Sequence, residues 1–359
     1  MSQESLNTDQ SHSSSAKLLC SRHFPLWLKE HNISLAITTY QTSRLILLGV
    51  NSQGNLSGFE RLFEQAMGLF STPERLYLSS KYQIWQLDNV LEAGQLYNDY
   101  DKLFIPRVAH TTGDLDIHDL VVDRTGRITF VSSLLNCLAT TSDRHSCTPL
   151  WKPTFISKFI NEDRCHLNGL AMVEGMPRYI TACSQSDLVD GWRDRRHDGG
   201  CVIDLQSQEI IVDQLSMPHS PRMYQGKLWV LNSGQGDFGY IDVQTGKFEP
   251  VIFCPGYARG LAFWQNFAIV GLSQARQEQT LSGLPLAERL LSKRADPRCG
   301  LVVIDLKTTS IVHWLRFEGM ITELYDVQVV PQTKHPMAIG FQTDEISQLL
   351  TLEQPGNLF

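Results

Sequence analysis

The sequence predicts an all-β fold, a β-propeller built from four-stranded antiparallel blades. Three observations predict it. Short apolar strands are punctuated by turn residues throughout; one strand–turn–strand unit recurs along the chain; and one strand type appears in three near-copies. The clearest unit runs from Ser216 to Phe253. There, Ser216–Tyr224 and Lys227–Gly234 flank the two-residue turn Gln225-Gly226. A third strand at 239–243, the turn Gln244-Thr245-Gly246 and a fourth strand at 247–253 complete it. Four such strands in about forty residues are one propeller blade.

The repeat is traced by its starting motifs. Met67-Gly68-Leu69, His118-Asp119-Leu120, Asn168-Gly169-Leu170, His219-Ser220-Pro221, Arg259-Gly260-Leu261 and Tyr325-Asp326-Val327 each open a strand, a turn and a second apolar strand. Their spacings of 51, 50, 51, 40 and 66 residues match a propeller period. A solenoid of that period would carry helices or one strand per repeat. Val202-Ile203-Asp204-Leu205, Tyr240-Ile241-Asp242-Val243 and Val303-Ile304-Asp305-Leu306 read as copies of one strand. Ser34-Leu35-Ala36 is a weaker seventh start, so seven blades are expected. Six result if this first unit and the C-terminal unit share a blade. Either closure removes exposed sheet edges.

At the N-terminus, residues 1–18 are rich in Ser, Gln and Asn, and are expected to form a disordered tail. Residues 19–359 are then a single propeller domain. The long interval before Tyr325 holds Leu284-Pro285-Leu286-Ala287-Glu288-Arg289-Leu290-Leu291, expected as a short helix in an insertion over about 276–298. Composition narrows the function classes. The chain is 42% hydrophobic and 19% charged, with a net charge of −7, which disfavours nucleic acid and anionic membrane as partners. No apolar run is long enough to cross a bilayer and no secretory signal opens the chain. Eight scattered cysteines without a CxxC pair suit a reducing, cytoplasmic setting better than a disulfide framework.

In a propeller the innermost strand of each blade lines an axial channel, so the repeat starts gather at one mouth. They predict a polar ring of His118, Asp119, His166, Asn168, His219, Arg222, Arg259, Glu323, Tyr325 and Asp326. Three readings compete for it. His118, His166, His219 and Glu323 could hold a divalent metal. Alternatively Arg222 and Arg259, with Asn168 and Tyr325, could bind a carboxylate or phosphate while His118, His219 or Asp326 act as acid–base groups. Or the ring could satisfy its own hydrogen bonds and trap water.

Elsewhere, Asp187–Gly200 lacks the register of a calcium loop and reads as a solvated loop over the channel mouth, with Trp192 a possible ligand contact. No Gly-x-Ser-x-Gly elbow occurs, and Asn232-Ser233-Gly234-Gln235-Gly236-Asp237 reads as a hairpin, lacking the context of a phosphate loop.

Several of these stretches also carry a family resemblance: Glu162-Asp163-Arg164-Cys165-His166-Leu167-Asn168-Gly169-Leu170-Ala171, Met217-Pro218-His219-Ser220-Pro221-Arg222, Tyr257-Ala258-Arg259-Gly260-Leu261-Ala262-Phe263 and Glu323-Leu324-Tyr325-Asp326-Val327. From about residue 20 onward the chain resembles a bacterial family of hypothetical proteins known as a domain of unknown function. The resemblance implies no reaction. The functional expectation is a site for a small molecule or peptide at the channel mouth, the alternative a protein-interaction scaffold using the rim loops and the inserted helix.

Overall fold

Strands close into a ring of six blades in a computed structural model, which describes residues 3–5, 17–274 and 283–352. Blade 1 is Leu69–Ser71, Arg75–Ser79, Gln83–Asn89 and Lys102–Thr111. Blade 2 is Ile117–Val122, Ile128–Ser132, Cys137–Thr140 and Thr148–Trp151. Blade 3 is Leu167–Val173, Met176–Ala182, Gly200–Asp204 and Ile210–Leu215. Blade 4 is Pro218–Tyr224, Lys227–Asn232, Asp237–Asp242 and Lys247–Phe253. Blade 5 is Tyr257–Trp264, Phe267–Ser273, Gly300–Asp305 and Ser310–Glu318.

Blade 6 corrects the expectation of seven. Its innermost strand, Val327–Pro331, comes from the C-terminal part of the chain and pairs antiparallel with Ile33–Thr39, followed by Arg44–Val50 and Leu56–Leu62. Ser34 therefore lies in a second strand, and the weak first unit shares a blade with the Tyr325 unit. The three strand copies hold the same place, third in blades 3, 4 and 5. At Gln225-Gly226 and Glu174-Gly175 both turn residues have positive φ, the backbone of the two-residue hairpin turn whose twist matches the strands.

The chain ends reinforce the ring. Lys17–Cys20 adds to the outer edge of blade 5, and Gln3–Ser5 pairs with it in turn. The remainder of the expected tail, and residues 276–282 of the expected insertion, lie outside the described residues. Pro336–Ala338 adds a parallel strand outside blade 1. A helix at Phe24–His31, not anticipated from the sequence, starts with Pro25 in its first turn and stops at Asn32, whose φ is 51°. It buries Phe24, Trp27 and Leu28 against blades 5 and 6. Each such side chain contributes roughly 1.5–3 kcal/mol by burial.

Hydroxyl groups join neighbouring blades near the axis. From the end of a second strand, each donates to a carbonyl at the start of the next innermost strand. Ser79 bonds Ile117 O (2.9 Å), Ser133 bonds Leu167 O (2.6 Å) and Ser233 bonds Ala258 O (2.6 Å). Ser273 bonds Leu324 O (3.1 Å), and Thr38 bonds Met67 O. All five hydroxyl residues are buried, so each staple satisfies a carbonyl that water does not reach.

Candidate functional site

The innermost strands are irregular where they meet the channel mouth. Pairing skips His118 in blade 2, Asn168 in blade 3, Ser220 and Pro221 in blade 4, and Arg259 and Gly260 in blade 5. A bulge breaks strict alternation and re-aims the side chain it carries. Here the bulged side chains include His118, Asn168, Ser220 and Arg259, which with Asp119, His219, Arg222, Tyr325 and Asp326 line one axial void. The void is about 10 Å³, space for roughly one water.

One side of the void is an ionic brace. Arg222 Nη1 lies 2.8 Å from Asp119 Oδ2, and Nη2 lies 3.7 Å from Asp326 Oδ1. Asp119 also accepts from the N–H groups of Leu120 (2.9 Å) and Leu170 (3.0 Å). Asp326 accepts from Leu69 N (3.0 Å) and Val327 N (2.8 Å). Burial raises the Asp326 carboxyl, to about 7; Arg222 opposes that shift and the Asp119 charge adds to it. Both oxygens of Asp326 thus accept hydrogen bonds, which ties it into the brace. Asn168 is likewise engaged, accepting from Thr181 Oγ1 (2.6 Å) and donating to Cys183 Sγ (3.2 Å).

The other side is less satisfied. His118 Nδ1 is 3.0 Å from Asp116 O and 2.9 Å from Ser133 Oγ, whose own hydrogen goes to Leu167 O. Both partners accept, so the proton sits on Nδ1 and Nε2 is left as a base. His219 Nδ1, 2.8 Å from Met217 O, is the same tautomer. Burial holds both imidazoles below their usual range, His219 far below, with Arg259 adding to the effect. The Arg259 guanidinium lies 4.9 Å from the Tyr257 ring, 5.3 Å from Tyr325 and 5.8 Å from Tyr40. Burial works against its charge, but these phenols and Glu323 outweigh that and favour the cation. His219 Nε2, Arg259 Nε and the Tyr325 hydroxyl are buried polar atoms without a hydrogen-bond partner among the described residues.

His166 and Glu323 stand just outside the void. Asp163 holds His166 Nδ1 at 2.7 Å, Trp192 stacks on the ring at 4.2 Å, and His118 meets it edge-on at 4.7 Å. Glu323 accepts from the Tyr40 hydroxyl. Among the described residues no group of three or more His, Cys, Asp or Glu is arranged to hold a metal ion. The expected quartet His118, His166, His219 and Glu323 is thus not gathered into a formed ligand set, and Arg259 brings a fixed positive charge among its members.

Sequence reasoning missed Tyr257, Tyr40, Ser220 and Asp163. Tyr257 was legible, since it lies two residues before Arg259 on a strand. The expected solvated loop is in part a roof, with Trp192 buried. The inserted helix, Pro285–Ser292, packs Leu286 and Leu290 with Cys183, Trp192, Met217 and Tyr257. Its Leu286 N donates to Gly234 O (2.8 Å), and Arg289 pairs with Asp237 (2.5 Å).

Fold and site together define a six-bladed propeller with a buried, incompletely satisfied polar centre on its axis. The chain belongs to the family described as a domain of unknown function (DUF4915), matched over residues 22–339, in agreement with the resemblance of its motifs. No curated protein matches it. Among solved structures it is similar to one from a nidogen/laminin complex, with a TM-score of 0.53 and 11% identity over 84% of this chain and 99% of that one. A protein of unknown function from Bacteroides caccae gives 0.50 and 8%, over 83% and 98%. At these identities the likeness concerns the fold alone. A virginiamycin B lyase from Staphylococcus aureus scores 0.40 at 10% identity, over 67% and 73%, too low to argue from. Among the described residues no helix is long and apolar enough to cross a membrane.

Proposed function

We propose that the axial site binds a small anionic molecule and carries out acid–base chemistry on it. The observation that supports this reading is the convergence of three unpartnered buried polar atoms, His219 Nε2, Arg259 Nε and the Tyr325 hydroxyl, beside one void. Leaving such a group unpaired costs roughly 1–3 kcal/mol, so a ring that leaves several is built for a partner. Arg259 supplies the charge that anchors a carboxylate or phosphate. The Tyr325 and Tyr257 phenols, held protonated by burial, donate to its oxygens. His219 Nε2 and His118 Nε2 are the bases that take a proton from the bound molecule. A ligand larger than water requires one wall to give way. Trp192, stacked on His166 just outside the void, is the part that moves, because it comes from the irregular segment between Ala182 and Gly200.

The interaction-scaffold reading has less support, since the apolar face of the inserted helix is already spent on the roof. Thermal unfolding with millimolar acetate, pyruvate and phosphate tests the proposal. A ligand present at about 100 times its Kd stabilises by roughly 2.7 kcal/mol. That gain should vanish in Arg259→Gln and weaken in His219→Gln. If no anion shifts the wild type, and high-resolution density shows one water bound to His219 Nε2 and the Tyr325 hydroxyl, the site is a structural water site and the proposal fails.

A further inference from the structure

We propose a second binding site, in the cleft between blade 5 and the segment that returns from the inserted helix, for a small flat molecule carrying an anionic head group. The cleft measures about 330 Å³ and shares no lining residue with the axial void. That volume is at the small end of ligand pockets and suits a body of one or two rings. Its inner wall is apolar: Leu272, Val302 and Trp314 belong to the cluster that joins blades 4 and 5. Its rim is basic. Arg294 and Arg298 enter from the segment that returns from the inserted helix, and the Arg316 guanidinium lies 4.3 Å over the Trp314 ring.

Among the described residues none of these three guanidinium groups joins an ion pair or a side-chain hydrogen bond. Among the described residues Asp296 is the sole carboxylate lining the cleft. On a chain with a net charge of −7, three unpaired arginines around one cavity are a local reversal of sign. Such a field draws in anions, and guanidinium groups grip carboxylate, sulfonate or phosphate with paired hydrogen bonds. Leu272, Val302 and the part of the Trp314 ring that Arg316 leaves uncovered give the body of the ligand an apolar surface. Head group and ring are thus matched to two faces of the same cleft.

Titration of the full chain with 1-anilinonaphthalene-8-sulfonate, followed by probe fluorescence, tests the assignment. One saturable site is expected, with phenyl phosphate or benzoate competing and neutral phenol not; which of the two anions competes better identifies the natural head group. The double variant Arg294→Gln/Arg298→Gln should weaken binding at least about tenfold, a change of 1.4 kcal/mol. Both side chains are exposed, so the variant folds, and an unchanged melting temperature checks that it has. Arg316→Gln should weaken binding as well, through lost stacking and charge. Probe affinity that stays within twofold in all variants, competition by phenol equal to that by the anions, or no saturable binding would each overturn the proposal. Because the axial site shares none of these residues, Arg259→Gln should leave probe binding unchanged, which separates a failure here from a failure there.

Discussion

Replacing Arg222 by Met keeps an unbranched apolar stem and removes the charged guanidinium. In the native ring this guanidinium, buried on the axis, links Asp119 at 2.8 Å with Asp326 at 3.7 Å and donates to Leu170 O and Pro221 O. Removing one partner of a buried ion pair costs roughly 3–5 kcal/mol, because the charge left behind is unpaired. The two carboxylates do not double that figure. Asp326 can take up a proton near neutral pH, and Asp119 keeps two backbone N–H donors. For 359 residues the unfolding entropy is about 0.75 kcal/mol/K, so the loss corresponds to a drop in Tm of about 4–7 °C.

The pH dependence makes the test specific. Asp326 has a folded pKa raised above its unfolded value, so its contribution falls as pH rises toward the folded pKa. Loss of Arg222 raises that folded pKa further. Between pH 7 and 8 the variant should lose up to about 1 kcal/mol more than the wild type. Adding Asp326→Asn should recover about half of the deficit at pH 8. Urea unfolding at pH 5.5, 7 and 8 measures all of this. A variant within about 1 kcal/mol of wild type at pH 8, with no pH-dependent gap, would refute the brace.

Three further outcomes are expected. Ser233→Ala should cost roughly 1–3 kcal/mol in urea unfolding, since the Ala258 carbonyl stays buried without its donor. Gly260→Ala should cost more than about 2 kcal/mol in the same assay, because φ is 79° and the new Cβ would lie 2.7 Å from Val327 N and 2.8 Å from Asp326 Cα. His118 and His219, with pKa values lowered in the fold, contribute stability that is present above the unfolded value of about 6.5 and lost as pH falls. Asp326 opposes this, so wild type should lose up to about 1.4 kcal/mol per pH unit from pH 6.5 to 5.5, and His118→Gln/His219→Gln should remove the loss.

Much of the ring was legible because inner-strand starts repeat at nearly constant spacing. His118, Asn168, His219, Arg259 and Tyr325 could be predicted to converge from that spacing alone. Blade number was not legible in the same way. Ser34 opens a unit that looks like the others, and nothing local says that the first strand of its blade lies some 290 residues later at Val327. Tyr40 was missed for that reason, since only closure carries it beside Tyr325. The interblade hydroxyls were visible as Ser79, Ser133, Ser233 and Ser273 after apolar strands, but a buried serine carries meaning only once its acceptor is known. Histidine tautomers were beyond reach, being set by the carbonyls of Asp116 and Met217.

Alternation around the axis gives a physical reason for six blades. Blades 2, 4 and 6 present Asp119, Ser220 and Asp326, which accept from the N–H groups of Leu170, Gly260 and Leu69 in blades 3, 5 and 1. Acceptor and donor blades take turns, and such a cycle closes only when their number is even. A seventh blade would set two like neighbours side by side at the most buried place in the fold, where an unmet N–H or carboxylate is most costly. The same alternation puts Arg222, from blade 4, opposite two carboxylate blades, which is why one cation can brace both. Blades 2 and 5 then supply His118 and Arg259 through their bulges, where the ladder pattern is broken.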